Sequence, residues 1–278
     1  MLDDSYSLRT EIINVDAAVV GIRRSRWEAI DAAIATEDHA REFMSARRFD
    51  VVPIVTGEAV HECFVTEQWN HYSSVSRRDI THRDVIPLHT GIREVIKGFA
   101  AEDRLFYFLS GGSQISGLIS VANLNSRPMK VYLFGLLSEL ELGLGELISS
   151  SNTEEEVITL ASDGGKSAPC DNPRDDARER YEADRAKGVD ASFMEYLSLM
   201  QLVKIVRKGK LYQDLGYASG KSFGSVFEPL ADLRNAVAHP VRSIVTSTDS
   251  IPSLWRRIDY IEEGLFRLSR WAAGRGSS

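Results

Sequence analysis

The stretch from Met129 to Ile148, MKVYLFGLLSELELGLGELI, divides the chain into two parts of different character. Its leucines recur at spacings of four, three, four and three residues, at Leu133, Leu137, Leu140, Leu144 and Leu147. This spacing is typical of a helix that packs along one seam. Because tyrosine, phenylalanine and further leucines occupy the other faces, we expect either a bundle core helix or a helix at a subunit interface.

On either side of this helix the sequence changes its pattern. Residues 1–128 alternate between strand-like and helix-like runs, whereas residues 129–278 contain helix-like runs. The fold class that we predict is α+β, with an N-terminal α/β domain followed by a C-terminal all-α bundle.

The N-terminal part contains two successive units, each with a helix followed by two strands. Glycine turns at Gly57–Glu58 and Ser110–Gly112 join the strands in pairs. The predicted elements are a helix at Asp38–Met44, strands at Phe49–Val55 and Ala59–Thr66, a strand at Val85–Thr90, a helix at Gly91–Ala100, and strands at Leu105–Leu109 and Ile115–Val121.

The second unit ends in Gly117–Leu124, GLISVANL. Together with Phe49–Val55 of the first unit, this stretch resembles a pair of CBS domains (named after cystathionine β-synthase) over residues 26–128. Units of that family end in Gly–apolar–apolar–Ser/Thr–x–x–Asp–apolar. Asn123 replaces the acid in the second unit, and Trp69 replaces it in the first.

Ser120 and Asn123 are the chemically important residues of this motif. The resemblance places Ser120 at a phosphate and Asn123 at a ribose hydroxyl, so it implies an adenine nucleotide as a regulatory ligand. An amide binds the ribose without the charge assistance of an acid, so we expect weaker binding. An equally good interpretation is that the two side chains cap the following helix.

The chain after Ile148 predicts further helices. Apolar residues at helical spacing mark helices at Ser192–Arg207, from about Pro229, and from Ser253 onward. The charged stretch Asp175–Lys187 predicts either an exposed helix or a mobile arm. Gly164–Ser167 lacks the spacing of a phosphate-binding loop, so none is expected there.

The helix from Pro229 ends in RNAVAH at residues 234–239. Arg234, Asn235 and His239 lie off its apolar stripe. They resemble the Arg–polar–x–x–x–His signature of the HEPN superfamily (higher eukaryotes and prokaryotes nucleotide-binding), whose catalytic members are ribonucleases. The resemblance covers residues 129–273, and it implies a homodimer in which two copies of the motif face each other.

The spacing by itself is not specific to this family. Arg77 and His82, and also Arg83 and His89, have a similar spacing in stretches that look like loop or linker. The alternative interpretation of the motif is that its arginine forms a surface ion pair while its histidine ends a helix before proline.

The side chains of the motif suit cleavage of RNA without a metal ion or other cofactor. Arg234 supplies a bidentate phosphate contact, and His239 transfers a proton near neutral pH. Asn235 precedes the histidine by four residues and is placed to orient it. Since the nucleophile is the 2′-hydroxyl of the substrate, we expect DNA to be inert.

The composition, 43% hydrophobic and 26% charged, is that of a soluble globular protein. Cys63 and Cys170 are far apart, which argues against a disulfide framework or a zinc site. The N-terminus has no apolar signal region, and no run approaches the roughly 18–20 apolar residues of a membrane span. We therefore expect a cytoplasmic protein without a membrane partner.

The net charge of -7 disfavours indiscriminate binding to nucleic acid. Residues 201–278 nevertheless hold 12 Lys and Arg against 7 Asp and Glu, a local balance of +5. The part of the chain that contains the RNAVAH motif is therefore the part best suited to bind RNA.

These features predict a metal-independent endoribonuclease regulated by a nucleotide, of the kind that acts in stress responses or phage defence. RNA is the expected substrate, and a homodimer is the expected active form. One alternative is a non-catalytic module that dimerises or binds a partner protein, and another is a nucleotide-sensing regulator with no enzymatic activity. Loss of RNA cleavage on Arg234→Ala would separate the enzyme from both alternatives.

Overall fold

A computed structural model of the chain describes residues 15–102, 104–112, 114–162 and 177–275. Its strands all precede Val121 and its long helices follow Ser126, so the mixed α+β class is confirmed. No helix within these ranges is long and apolar enough to cross a membrane. Gly164–Ser167 and Cys170 lie outside the described residues.

The strands form two four-stranded sheets, with orders β2-β3-β4-β5 and β1-β8-β7-β6. In the described chain they are β1 (Ile22–Arg23), β2 (Ile30–Asp31), β3 (Val51–Thr56), β4 (Ala59–Gln68), β5 (His71–Asp79), β6 (Val85–Pro87), β7 (Phe106–Gly111) and β8 (Gln114–Ser120). The interpretation of the stretch around Arg77 as loop is wrong, because this residue lies in β5 and pairs across to β4. Its charged side chains hide the strand from a hydrophobicity pattern, since β5 is an exposed edge.

Three helices accompany these strands: α1 (Ala17–Val20), α2 (Glu37–Arg47) and α3 (Ile92–Glu102). The order β2–α2–β3–β4 is repeated as β6–α3–β7–β8, with a parallel first strand pair and an antiparallel second pair in each case. The predicted two-unit organisation is therefore present.

The register relates the two repeats residue by residue. Val51 pairs with Val65 in the first, and Phe106 pairs with Ser120 in the second, so both partners lie 55 positions further along the chain. Ser120 therefore corresponds to Val65. The placement of Asn123 opposite Trp69 in the sequence motif implies Thr66 instead, so that alignment is one residue out of register. A strand motif compared one residue out of register assigns a side chain to the wrong face of the sheet.

Apolar faces of the two sheets pack on each other. One cluster joins both repeats, and it consists of Val51, Cys63, Val65, Phe106, Phe108 and Leu118. On the other face of the first sheet, Ala40 and Met44 of α2 pack against Phe64. Pro53 is tolerated in β3 because β2 pairs only with Ile54 and Val55 beyond it.

The described chain continues from Arg127 as a series of further helices. They are α4 (Arg127–Ser149), α5 (Glu154–Ser162), α6 (Ala177–Ala186), α7 (Leu199–Lys208), α8 (Gly220–Phe227), α9 (Leu230–Ala238) and α10 (Ser250–Arg275). The charged stretch before Lys187 is a helix, α6, and its Tyr181 is buried. The helix predicted from Ser192 is instead a 3₁₀ turn at Phe193–Tyr196 followed by α7, because Ser198 and Gln201 form a capping box that starts a new helix.

Contacts divide the chain into two compact units. The α/β unit contains the described residues up to Leu133 together with Pro240–Arg256, and the helical unit contains Phe134–His239 and the chain from Arg257. The boundary expected after residue 128 lies slightly earlier than this break within α4. The predicted division into two domains also did not include the return of the chain to the α/β unit at Pro240–Arg256.

Asn125 holds this returning segment in the α/β unit. Its Oδ1 accepts hydrogen bonds from the N–H groups of Ile244 and Val245, at 2.6 and 2.9 Å, and its Nδ2 donates to the carbonyl of Val245 at 2.8 Å. Lys130 donates to the carbonyls of Pro240 and Arg242. The side-chain amide of Asn125 thus binds this segment as a neighbouring strand would. The contact joins residues that are 120 positions apart in the chain.

Candidate functional site

Helix α9 carries the RNAVAH motif, as expected. It begins after Pro229, whose fixed φ suits the start of a helix, and it buries Leu230, Leu233 and Val237. Arg234 is half-buried beside this stripe, whereas Asn235 and His239 are exposed. All three motif residues thus lie in the C-terminal half of α9 or at its cap.

His239 is the cap residue of α9 and not its last helical residue. Its backbone is extended, with φ −99° and ψ 112°, and its N–H donates to the carbonyl of Asn235 at 3.2 Å. This hydrogen bond closes the last turn of α9 between the two residues, and the chain leaves the helix only at His239. Orientation of the imidazole by Asn235 stays a prediction. Pro240 explains the early end, because proline disfavours α-conformation in the residue before it.

The guanidinium of Arg234 forms an ion pair with Glu141 of α4. Arg234 Nε lies 3.3 Å from Glu141 Oε1, and the two side chains are 40% and 27% exposed. Among the described residues, the ion pair with Glu141 engages Nε of Arg234. The two terminal nitrogens of the guanidinium are therefore placed to bind the oxygens of a phosphate. Analysis of the sequence missed Glu141, which is 93 positions from its partner. The available signal was weak, because Glu141 is one of three glutamates in a largely apolar helix.

An apolar surface on α4 adjoins this ion pair. Phe134 is 56% exposed and Leu142 is 60% exposed, although Leu133, Leu137 and Leu140 of the same helix are buried. Leu142 directly follows Glu141, and Phe134 lies about two turns earlier on the same face. Within the helical unit, α4 is thus both a core helix and the bearer of an exposed apolar strip.

The other Arg–His pairs of similar spacing lack a helix end. Arg77 lies in β5 and makes two hydrogen bonds to Glu62, at 2.9 and 2.6 Å. His82 begins a 3₁₀ turn, and Arg83 follows it. Of these pairs, the one in α9 alone has the helical context that the motif requires.

Ser120 and Asn123 cap the 3₁₀ helix at Val121–Asn125. The Oδ1 atom of Asn123 accepts hydrogen bonds from the N–H and the hydroxyl of Ser120, at 2.8 and 3.2 Å. Of the two interpretations that the sequence left open, capping is the one that the hydrogen bonds show. Binding of a nucleotide by the same residues stays a prediction.

A cavity of about 490 Å³ lies in the α/β unit at the other end of β8. Its polar lining includes Arg24, His61, Thr81 and His82. Because β8 runs from Gln114 beside the cavity to Ser120, the two places are roughly 20 Å apart along the strand. The sequence did not indicate this cavity, since its residues come from five separate elements.

Arg24 spans this cavity from one repeat to the other. Its guanidinium donates to the carbonyls of Glu58, in the β3–β4 turn, and of Ile115, in β8. Both sheets thus contribute to the cavity wall. Across residues 15–102, 104–112, 114–162 and 177–275, no three His, Cys, Asp or Glu side chains form a group that would hold a metal ion.

Cys63 is an unreactive core residue. It is fully buried in β4, and burial raises the pKa of its thiol to about 12. A thiol that stays protonated at neutral pH is a poor nucleophile and a poor metal ligand.

Comparisons with known proteins assign no relative, since no protein-family model and no curated protein matches this chain.

Proposed function

We propose that the protein is a metal-independent endoribonuclease of the HEPN type whose catalytic residues are Arg234, Asn235 and His239. The observation that carries the proposal is that one helix end presents a half-buried guanidinium and an exposed imidazole five residues apart. Glu141 holds the guanidinium through Nε, which leaves its fork to bind a phosphate.

In the proposed reaction the 2′-oxygen of the substrate attacks the adjacent phosphorus and the 5′-oxygen of the next nucleotide leaves. Arg234 stabilises the negative charge on the non-bridging oxygens. His239 takes the proton from the 2′-hydroxyl while water protonates the leaving oxygen, or water takes that proton while His239 protonates the leaving oxygen. The products are a 2′,3′-cyclic phosphate and a 5′-hydroxyl end, so atoms and charge balance without an external nucleophile.

The motif supplies only one arginine and one histidine per chain, which supports a site completed by a second copy. The exposed strip of Phe134 and Leu142 beside Glu141 supports the same interpretation, because a two-fold contact there would place both motifs near one interface. The proposed active unit is therefore a homodimer, as in the family that the motif resembles.

The test is incubation of the purified protein with single-stranded RNA in EDTA. We expect cleavage that yields cyclic phosphate ends, at a rate reduced at least about a hundredfold in Arg234→Ala and in His239→Ala. Arg242→Ala, an exposed arginine outside the motif, is the matched control and retains the wild-type rate. Cleavage abolished by EDTA, or retained in both motif variants, would refute the proposal.

A second candidate function is regulation by a nucleotide bound to the α/β unit, which resembles a CBS pair. The duplicated β–α–β–β topology and the 490 Å³ cavity with its arginine and histidines favour it. If the protein binds a nucleotide but has no ribonuclease activity, its function is that of a nucleotide sensor.

A route for such regulation follows from the hydrogen bonds of the α/β unit. Asn125 belongs to the 3₁₀ helix that Ser120 and Asn123 cap, and it holds Ile244 and Val245. Lys130 holds the same segment at the carbonyl of Pro240, the residue directly after His239. A nucleotide that shifts the 3₁₀ helix would therefore pull on the chain next to the proposed catalytic histidine.

Calorimetry with AMP, ADP, ATP and cyclic dinucleotides tests this function. Asn123→Asp keeps the capping oxygen and restores the acid of the family pattern, so it is expected to tighten binding if Asn123 contacts a ribose. His82→Ala weakens binding if the ligand occupies the cavity instead. No heat with any nucleotide at millimolar concentration would exclude a regulatory nucleotide.

A further inference from the structure

The helical unit contains a cavity of about 650 Å³ with a strongly basic lining. Arg207, Lys208, Lys210 and Lys221 line it, together with a single carboxylate, Glu228. Four cations and one anion make a formal balance of +3, in a chain whose net charge is -7. Like charges placed this close repel one another, and a bound anion relieves that repulsion.

Two glycines of α8 form the floor of this cavity. A Cβ atom on Gly220 would lie 2.9 Å from Cγ of Arg207, and one on Gly224 would lie 2.9 Å from Oε1 of Glu228. The glycines therefore let the arginine side chain cross α8. Its Nη1 donates to Glu228 Oε1 at 2.6 Å, which fixes the guanidinium at the cavity.

Lys210 reaches the cavity from an unusual backbone conformation. Its φ of 60° and ψ of 16° are left-handed, whereas Gly209 before it is right-handed. The residue that takes a left-handed conformation after a helix is usually glycine, which has no Cβ. A lysine at this position is therefore unfavourable for the backbone. Lys208 is already engaged, since its Nζ donates to the carbonyl of Leu160 at 2.7 Å.

We infer that this cavity binds the phosphate backbone of single-stranded RNA, with the ring of Tyr212 as a stacking surface for a base. Half-buried Tyr212 lines the cavity and stacks on Phe223, so its ring is held in place. Several cations around an open groove with an aromatic ring are the features that bind single strands. More cations are present than one isolated phosphate requires.

The position of the cavity along α9 agrees with this ligand. Glu228 lies just before the helix, and the RNAVAH motif lies at its other end. The nine residues of α9 span roughly 14 Å, which about four stacked nucleotides at about 3.4 Å each would cover. The inference rests on the proposed ribonuclease function for its biological meaning, and it adds a substrate-holding site remote from the reacting phosphate.

Fluorescence anisotropy with a labelled, fully 2′-O-methylated RNA of about twelve nucleotides tests the binding without cleavage. The full-length Lys210→Glu/Lys221→Glu protein is compared with Lys204→Glu/Arg270→Glu, which changes the net charge equally at exposed residues outside the cavity. We expect affinity to fall at least about tenfold for the first pair. The slope of log affinity against log salt should drop in magnitude by about 1.4, since two phosphate contacts of about 0.7 each are lost.

Equal losses for the two pairs, an unchanged slope, or no binding by the wild type at low salt would each overturn the inference. Displacement of the RNA by micromolar ATP would also overturn it, because the cavity would then be a small-nucleotide site. Arg242→Ala, at an exposed residue outside both the motif and the cavity, should bind the methylated RNA as the wild type does. If the wild type binds but never cleaves ordinary RNA, the proposed catalytic function fails while the binding site stands.

Discussion

Asp84 is buried in the α/β unit and accepts hydrogen bonds from three residues. Both terminal nitrogens of Arg78 lie 2.9 Å from its oxygens, Arg104 Nη1 lies at 3.1 Å, and Thr81 donates through its N–H and its hydroxyl. Burial by itself would raise the pKa of this carboxyl, but the hydrogen bonds from Arg78 and Thr81 outweigh it and hold the pKa well below 3.8. This carboxylate therefore ties β5 to the second repeat.

Asp84→Asn is expected to lower the free energy of unfolding at pH 7 by about 3 kcal/mol, because two arginines lose the charge that they surround. Since the folded pKa is depressed, the contribution is complete above pH 3.8 and is lost as pH falls below it. Urea unfolding from pH 7 to pH 3 measures both effects. The exposed Asp38→Asn is the control and should change stability by less than about 0.5 kcal/mol. A difference between Asp84→Asn and wild type that is independent of pH would contradict the argument.

Lys210 offers a second prediction at the residue scale. Lys210→Gly removes a side chain from a left-handed conformation, so stability should stay the same or rise by up to about 1 kcal/mol, whereas RNA binding weakens. Lys204→Gly, in the interior of α7, should instead cost about 1 kcal/mol and leave binding intact. Thermal unfolding and anisotropy on the two variants check this. A loss of stability in Lys210→Gly would show that the lysine is structural.

Among the elements, α4, α8 and α10 pack closely at glycines. A Cβ atom on Gly264 of α10 would lie 2.9 Å from Cδ1 of Leu140 and 3.0 Å from Cζ of Phe227. Both neighbours are buried, and Phe227 stacks on Phe223 at 4.4 Å, so neither is free to move. The glycine is thus a packing residue of the helical unit.

Gly264→Ala is expected to destabilise the protein by about 1–3 kcal/mol, because overpacking outweighs the better helix propensity of alanine. Gly274→Ala in the same helix is the control, since nothing lies within 4 Å of its added Cβ. It should be neutral or slightly stabilising. Chemical unfolding of both variants measures the difference, and equal effects would show that helix propensity alone governs α10.

At the scale of the whole molecule, the apolar strip of α4 formed by Phe134 and Leu142 is exposed in the described structure. If a second copy covers it, Phe134→Glu places a charge in the interface, so sedimentation should show monomers and RNA cleavage should be lost. Phe266→Glu is a matched control, because this phenylalanine of α10 is 57% exposed against 56% for Phe134. It should remain dimeric and active. A wild type that is monomeric at micromolar concentration while cleaving RNA would exclude the composite site.

A composite site also predicts complementation. Mixed dimers of Arg234→Ala and His239→Ala chains rebuild one site that contains both residues if each site draws on two copies. We expect activity to return on mixing the two inactive proteins and allowing exchange. No recovery in a sample shown to contain mixed dimers would place both residues in a site within one chain.

The sequence by itself determined the features that depend on neighbours along the chain. Apolar spacing predicts α4, α9 and α10, and glycine turns predict the hairpins at Gly57 and Gly112. The types of side chain in Arg234–His239 indicate phosphate binding and proton transfer before any contact is known. The duplicated α/β pattern is likewise visible in the order of its runs.

Only the tertiary structure decided which groups meet. Glu141 joins Arg234 across 93 positions, and Asn125 returns the chain after His239 to the α/β unit across 120 positions. The basic cavity likewise requires α8 to bring Gly220 beneath Arg207 of α7. Periodicity reports the burial of one face of an element, but it carries no information about which distant residue packs there. For that physical reason the motif was visible in the sequence, whereas its ion-pair partner and the basic cavity were not.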